Sequence, residues 1–260
     1  MIAELTRLYD AYVDGFRDAQ GELPEMMQLK RRHTGFVVEN ATAIAAGEKF
    51  TPAEREAAQV AALLHDTGRY EQLKRYDTFR DSDSVDHAVF SHDIVKSLGW
   101  LETLGAEPDS RSAVLAAVLY HNRRELPGGL DPLTERLAHT VRDADKLDIF
   151  RVLEEQTRRT DWKTDAKAFW NLPAFAPLNP TVVDCIERRE PVDYQNIRSL
   201  ADFVIIQVGW MLADLHFATS RRLCRERGHL AFRRQFLHQL TDSSDADRLC
   251  DLAEKALFLV

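Results

Sequence analysis

Six side chains in this sequence have the chemistry of metal ligands: His33, His65, Asp66, His87, His121 and Asp145. Each stands at or near the end of an apolar helical stretch. Residues 61–68, Ala-Ala-Leu-Leu-His-Asp-Thr-Gly, carry an apolar run straight into two adjacent polar groups and then a helix-ending glycine. Polar groups placed there need partners. A divalent cation serves neutral imidazole and ionised carboxylate alike, and it offsets the cost of burying the carboxylate.

Spacing predicts that several helices aim such groups at one interior. Leu29, His33 and Val37 are four apart, which at about 100° per residue places His33 on the inward stripe of its helix. Ala113, Ala117 and His121 repeat the pattern, and Leu137, Val141 and Asp145 repeat it again. A single histidine on an apolar face is more often a core residue bonded to a carbonyl, so the inference rests on the set.

The order His, His-Asp, His, His, Asp resembles that of the HD-domain metal-dependent phosphohydrolases. The strings that carry the resemblance are His-Thr-Gly-Phe-Val-Val at 33–38, Ala-Leu-Leu-His-Asp-Thr-Gly-Arg at 62–69, Asp-His-Ala-Val-Phe-Ser at 86–91 and Arg-Asp-Ala-Asp-Lys-Leu-Asp at 142–148. They cover roughly residues 25–155. The resemblance implies an all-α helical bundle with additional C-terminal helices. It implies two metals, one held by His33, His65, Asp66 and Asp145, with Asp66 bridging to a second held by His87 and His121. Relatives without the middle histidines as ligands bind one metal, and there such histidines work in acid, base or phosphate-binding roles. His92 lies five residues after His87, about 140° around a helix, so one of the two faces the metals; His87 matches the family string.

Two cations sharing a carboxylate lower the pKa of a bridging water and neutralise charge on phosphoryl oxygens, so no serine or cysteine nucleophile is needed. The donor set suits iron or manganese, with zinc, cobalt, nickel or magnesium as alternatives, better than calcium. The expected reaction is hydrolysis of a phosphoester or phosphoanhydride in a small, nucleotide-like substrate. Asp66, His87, His121 and Lys146 form the expected catalytic set, and Arg69, Lys146 and Arg123 the expected substrate contacts. Arg69 offers a bidentate fork where many relatives have lysine, and Ser91 replaces a glycine common in relatives. Tyr-His-Asn-Arg-Arg-Glu-Leu-Pro at 120–127 lacks the Gly-Tyr-Pro signature of the cyclic-di-GMP phosphodiesterases, so that substrate is not supported. Other readings of the ligand order are a one-metal nucleotide phosphohydrolase, a di-iron oxygenase and a non-catalytic ligand sensor.

With 260 residues, 45% of them hydrophobic, the chain can bury a substantial core. A formal charge of −8 argues against an extended nucleic-acid surface but allows a locally positive pocket. The N-terminus lacks the pattern of a signal peptide, and the apolar stretch 203–215 is too short to span a bilayer. Cys185, Cys224 and Cys250 are odd in number and widely spaced, which suits reduced thiols in the cytoplasm. A homodimer is compatible with the sequence.

Helical signals dominate the chain. Thr51-Pro52-Ala53-Glu54 is a start signal in which threonine caps and glutamate reaches back; Asp131-Pro132 opens the helix carrying Asp145, and Gly99 closes the one carrying His87. The proline-interrupted segment 171–193 reads as an irregular connection with a short strand-like piece or helix at 181–187. Residues 194–227 and 230–259 read as two long amphipathic helices. The expected division is a catalytic core over 1–160 and a helical extension over 161–260, packed on it.

Overall fold

The computed structural model describes residues 1–165 and 169–259. It is all-α: among the described residues every regular element is helical and none is a strand. No helix among them is long and apolar enough to cross a membrane. The chain divides into two compact units, Met1–Asp148 and Ile149–Val260, so the division falls inside one helix and ahead of residue 160.

The first unit contains α1 (Ile2–Asp14), α2 (Glu25–Gly47), α3 (Pro52–Leu64), α4 (Gly68–Tyr76), α5 (His87–Leu98), α6 (Trp100–Thr103), α7 (Pro108–Tyr120) and the first part of α8 (Pro132–Arg159). At its centre is α3, which packs against α1, α2 and α7. Alanine at 57, 58, 61 and 62 lets those neighbours come close, while Val60, Leu63 and Leu64 fill the remaining space. The expected start of α3 is present in full: Thr51 Oγ1 accepts from the Glu54 N–H, and Glu54 accepts from the Thr51 N–H at 2.7 Å. Asp131 Oδ1 accepts from the Leu133 and Thr134 N–H groups and so opens α8. Gly99 ends α5 in the left-handed conformation at φ 62°, which glycine adopts without a Cβ penalty.

The contact between α4 and α5 depends on another glycine. Gly68 donates its N–H to Ser91 Oγ at 2.9 Å, and a Cβ at Gly68 would fall 2.6 Å from the Ser91 backbone nitrogen. Backbone cannot yield as a side-chain tip can. Gly68→Ala is therefore expected to force α4 and α5 apart, at about 1–3 kcal/mol. A chemical denaturation midpoint equal to that of the wild type would refute this close approach.

The second unit holds the end of α8 together with α9 (Pro180–Glu187), α10 (Leu200–Ala213), α11 (Ala218–Glu226), α12 (His229–Leu240) and α13 (Ser244–Leu257). Helix α10, apolar almost throughout, packs against α9, α12 and α13. The short element expected at 181–187 is helical, capped by Asn179 with Pro180 at its first position. The two long helices expected at 194–227 and 230–259 are instead four. Helix α10 begins only at Leu200, where the Ser199 side chain accepts from the Asp202 N–H. It ends where Leu215 N–H folds back onto Trp210 O, and Arg221 Nη1 then binds the Leu215 and His216 carbonyls to turn the chain. Gly228, at φ 71°, separates α11 from α12, and Ser243 caps α13 after an extended Thr241. Local capping thus overrides a continuous amphipathic pattern.

Inside this unit Arg233 is fully buried. Its guanidinium donates to Glu154 Oε1 at 2.6 Å, to Gln207 Oε1 at 2.9 Å, and to the carbonyls of Phe150 and His229 at 2.8 and 2.9 Å. His229 Nδ1 meets the same Glu154 oxygen at 2.7 Å.

Candidate metal centre

Asp66 lies at the focus of the first unit, 2% exposed. After α3 the chain does not break into an extended loop. His65 and Thr67 stay in the right-handed helical region, Thr67 N–H and Oγ1 both donate to Leu64 O, and Arg69 N–H donates to Asp66 O. This tight passage into α4 points His65 and Asp66 into the interior.

Four histidines converge on the Asp66 carboxylate, two on each oxygen. Oδ2 lies 3.7 Å from His33 Nε2 and 3.5 Å from His65 Nε2; Oδ1 lies 3.7 Å from His87 Nε2 and 3.8 Å from His121 Nε2. Asp145, on α8, adds Oδ1 at 3.0 Å from His33 Nε2 and 4.0 Å from His65 Nε2. Ligand-type atoms of His33, His65 and Asp66 fall within 4.8 Å of one another. The same holds for Asp66, His87 and His121, and for His65, His121 and Asp145. All six expected ligands are therefore brought together.

The outer ring nitrogens fix how these imidazoles face inward. His65 Nδ1 meets Ala62 O and His121 Nδ1 meets Val118 O, each at 2.7 Å, and a carbonyl can only accept. His33 Nδ1 lies 2.6 Å from Asp148 Oδ2, and His87 Nδ1 lies 2.5 Å from Asp81 Oδ2. Each Nδ1 is thus a donor, which leaves the Nε2 lone pair of the neutral ring directed at the centre.

The donor atoms fit a cation. His33 Nε2, His65 Nε2 and Asp66 Oδ1 are buried without a hydrogen-bond partner; Asp145 Oδ1 is near His33 Nε2 but outside hydrogen-bond geometry. His87 and His121 bring their Nε2 atoms within 3.0 Å of each other. Two such lone pairs repel unless a proton or a metal stands between them, and ligands of one metal at about 2.0–2.1 Å reach this separation.

Electrostatics prepare the same chemistry. Burial opposes ionisation of Asp66, but Lys30, His65 and Arg69 hold its carboxyl well below the usual range. Burial also opposes ionisation of Asp145, and the imidazole of His33 close beside it outweighs that effect. Burial, with His87 and His65 adjacent, pushes His121 down to about 3. Burial likewise lowers His65. His33 differs: burial and Lys30 disfavour its protonation, yet Asp145 and Asp148 leave it raised.

The expected substrate contacts take different positions. Arg69 Nη1 donates to Gln72 Oε1, Phe79 O and Asp81 Oδ1, at 2.8, 2.6 and 2.9 Å, which ties the 77–86 loop to α4. Arg123 Nη1 and Asn122 Nδ2 both bind the carboxylate of Asp86, the residue that caps α5. Arg142 secures the same loop through the carbonyls of Arg123 and Arg124. Lys146 follows Asp145 on α8 and is half-buried.

His92 pairs with Asp93 at 2.8 Å, outside the cluster. His92→Ala should leave metal content and turnover near wild type, whereas His87→Ala should lose metal or most of the rate. The reverse order of severity would transfer the ligand role to His92.

Three site residues escape a reading of the sequence alone: Lys30, Asp81 and Asp148. Lys30 precedes His33 by three positions and Asp148 follows Asp145 by three, so helical periodicity places each beside a ligand. Asp81 lies in a loop and offered no such signal.

A family model described as HD domain matches residues 31–149. No curated protein and no solved structure gives a significant match.

Proposed function

We propose, from the match of residues 31–149 to the HD-domain model, that this chain is a metal-dependent hydrolase of phosphoester or phosphoanhydride bonds in a small, nucleotide-like substrate. The observation that carries the reading is the convergence of four Nε2 atoms on both oxygens of one buried carboxylate. His33, His65, Asp145 and Asp66 Oδ2 would hold one divalent cation, and His87, His121 and Asp66 Oδ1 a second. Iron or manganese fits this nitrogen and oxygen set first, and zinc, cobalt, nickel or magnesium are alternatives. When bound, such a pair supplies hydroxide near neutral pH for in-line attack on phosphorus and charge to neutralise the phosphoryl oxygens.

The protein's own groups orient that chemistry. Asp148 and Asp81 fix the tautomers of His33 and His87 and raise their basicity as ligands. Lys146, adjacent to Asp145, supports the reading as a phosphate contact. Arg69 and Arg123 we assign to holding the loops around the centre, because their guanidinium groups are already bonded to Asp81 and Asp86.

The test is metal-reconstituted protein assayed with phosphomonoesters, phosphodiesters and nucleotides, in air and without oxygen. The expected result is release of phosphate or alcohol at equal rates in both atmospheres and none after chelation. Consumption of oxygen with oxidised product would replace the reading with the oxygenase one.

A further inference from the structure

Lys30 and His33 leave the same face of α2, three residues apart. The Lys30 ammonium donates to Asp66 Oδ2 at 2.7 Å, the oxygen that also faces His33 and His65. Its side chain is 19% exposed, and Nζ stands 5.7 Å from the centroid of the Phe79 ring. The other cation beside Asp66, Arg69, is immobilised by its bonds to Gln72, Phe79 and Asp81. Among the described residues Lys30 has no comparable second anchor: a compact ammonium on a flexible four-carbon stem can move while its helix stays fixed.

A divalent cation that took Asp66 Oδ2 as a ligand would meet the Lys30 charge at close range in a sheltered setting, where like charges repel strongly. The ammonium must then leave that oxygen. Its attachment one helical turn from His33 keeps it beside the centre, where an anionic substrate replaces the lost carboxylate contact. Building on the phosphohydrolase reading, we propose that Lys30 binds the substrate phosphoryl group in the metal-loaded centre, having held Asp66 in the metal-free one. Lys30 is thereby the residue that couples metal loading to affinity for phosphate.

The experiment compares full-length wild type, Lys30→Met and Lys30→Arg, loaded with manganese and titrated with inorganic phosphate by calorimetry. Manganese content and the melting temperature of each metal-free protein are measured in parallel. Lys30→Met is expected to retain manganese, to bind phosphate about tenfold or more weakly, and to melt lower when metal-free; Lys30→Arg should keep most of the phosphate affinity. Should Lys30→Met fail to fold, Lys30→Gln takes its place with the same expectations. The proposal is overturned if the neutral variant binds phosphate like wild type, if it loses manganese, or if loaded wild type binds no phosphate. Phosphate binding that depends on Lys30, in a protein that hydrolyses no phosphoester, would support this assignment and remove the hydrolase reading instead.

Discussion

Asp66→Ala is expected to lose bound metal and turnover together. Among the described residues Asp66 is the one carboxylate whose two oxygens face different histidine pairs, so its removal deprives both proposed sites at once. Loss of a mere hydrogen-bond partner to a metal ligand costs about 10–100-fold, and removal of a shared ligand should exceed that. The variant also leaves the Lys30 ammonium and the Arg69 guanidinium without the anion between them, which disfavours a cation in the pocket further. Elemental analysis and a rate assay on the same preparation check the expectation, with circular dichroism to show that the helices persist. Metal content and turnover near wild type would remove Asp66 from the centre.

Glu154→Ala is expected to be the most destabilising substitution in the second unit. Arg233 is fully buried, and Glu154 supplies its counter-charge while also holding His229. Taking one partner from a buried pair strands the other, which costs about 3–5 kcal/mol. Replacing both, as in Glu154→Leu with Arg233→Met, should recover much of that loss, because no charge is then left uncompensated. The same cluster sets a pH dependence. Burial opposes ionisation of Glu154, but His229 and Arg233 lower its pKa in the fold; burial lowers that of His229. Both groups bind protons more tightly when unfolded, so stability rises with pH. Their contribution is complete above the unfolded histidine value of about 6.5 and is lost on acidification, first through His229 and then, below about 4.5, through Glu154. Urea denaturation at several pH values measures both effects. A single-variant loss under about 1 kcal/mol, or stability that increases on acidification, would contradict this account.

The clustering of the six side chains was legible because helical periodicity is a strong signal and the resemblance supplies the order. His33, His121 and Asp145 each end or interrupt an apolar stripe, and the structure gathers them as the spacing predicts. The ion-pair partners of Arg69 and Arg123 were not legible. A guanidinium near a metal-type cluster suits phosphate and carboxylate equally, and only the folded loops show that Asp81 and Asp86 already face these arginines. In the C-terminal part the amphipathic pattern continues through residues 214–217, but Arg221 binds the Leu215 and His216 carbonyls and stabilises a turn there. Such competition between a local cap and a continuous stripe is decided by tertiary packing. The expectation of an uninterrupted helix lacked that term.

The most direct test of the central claim is the metal content per chain of wild-type protein purified without chelator. Close to two equivalents of a transition metal are expected, since each Asp66 oxygen faces its own pair of Nε2 atoms. One equivalent would contradict the paired centre and return His87 and His121 to acid, base or phosphate-binding roles. A protein that takes up no metal on reconstitution would contradict the metal centre itself.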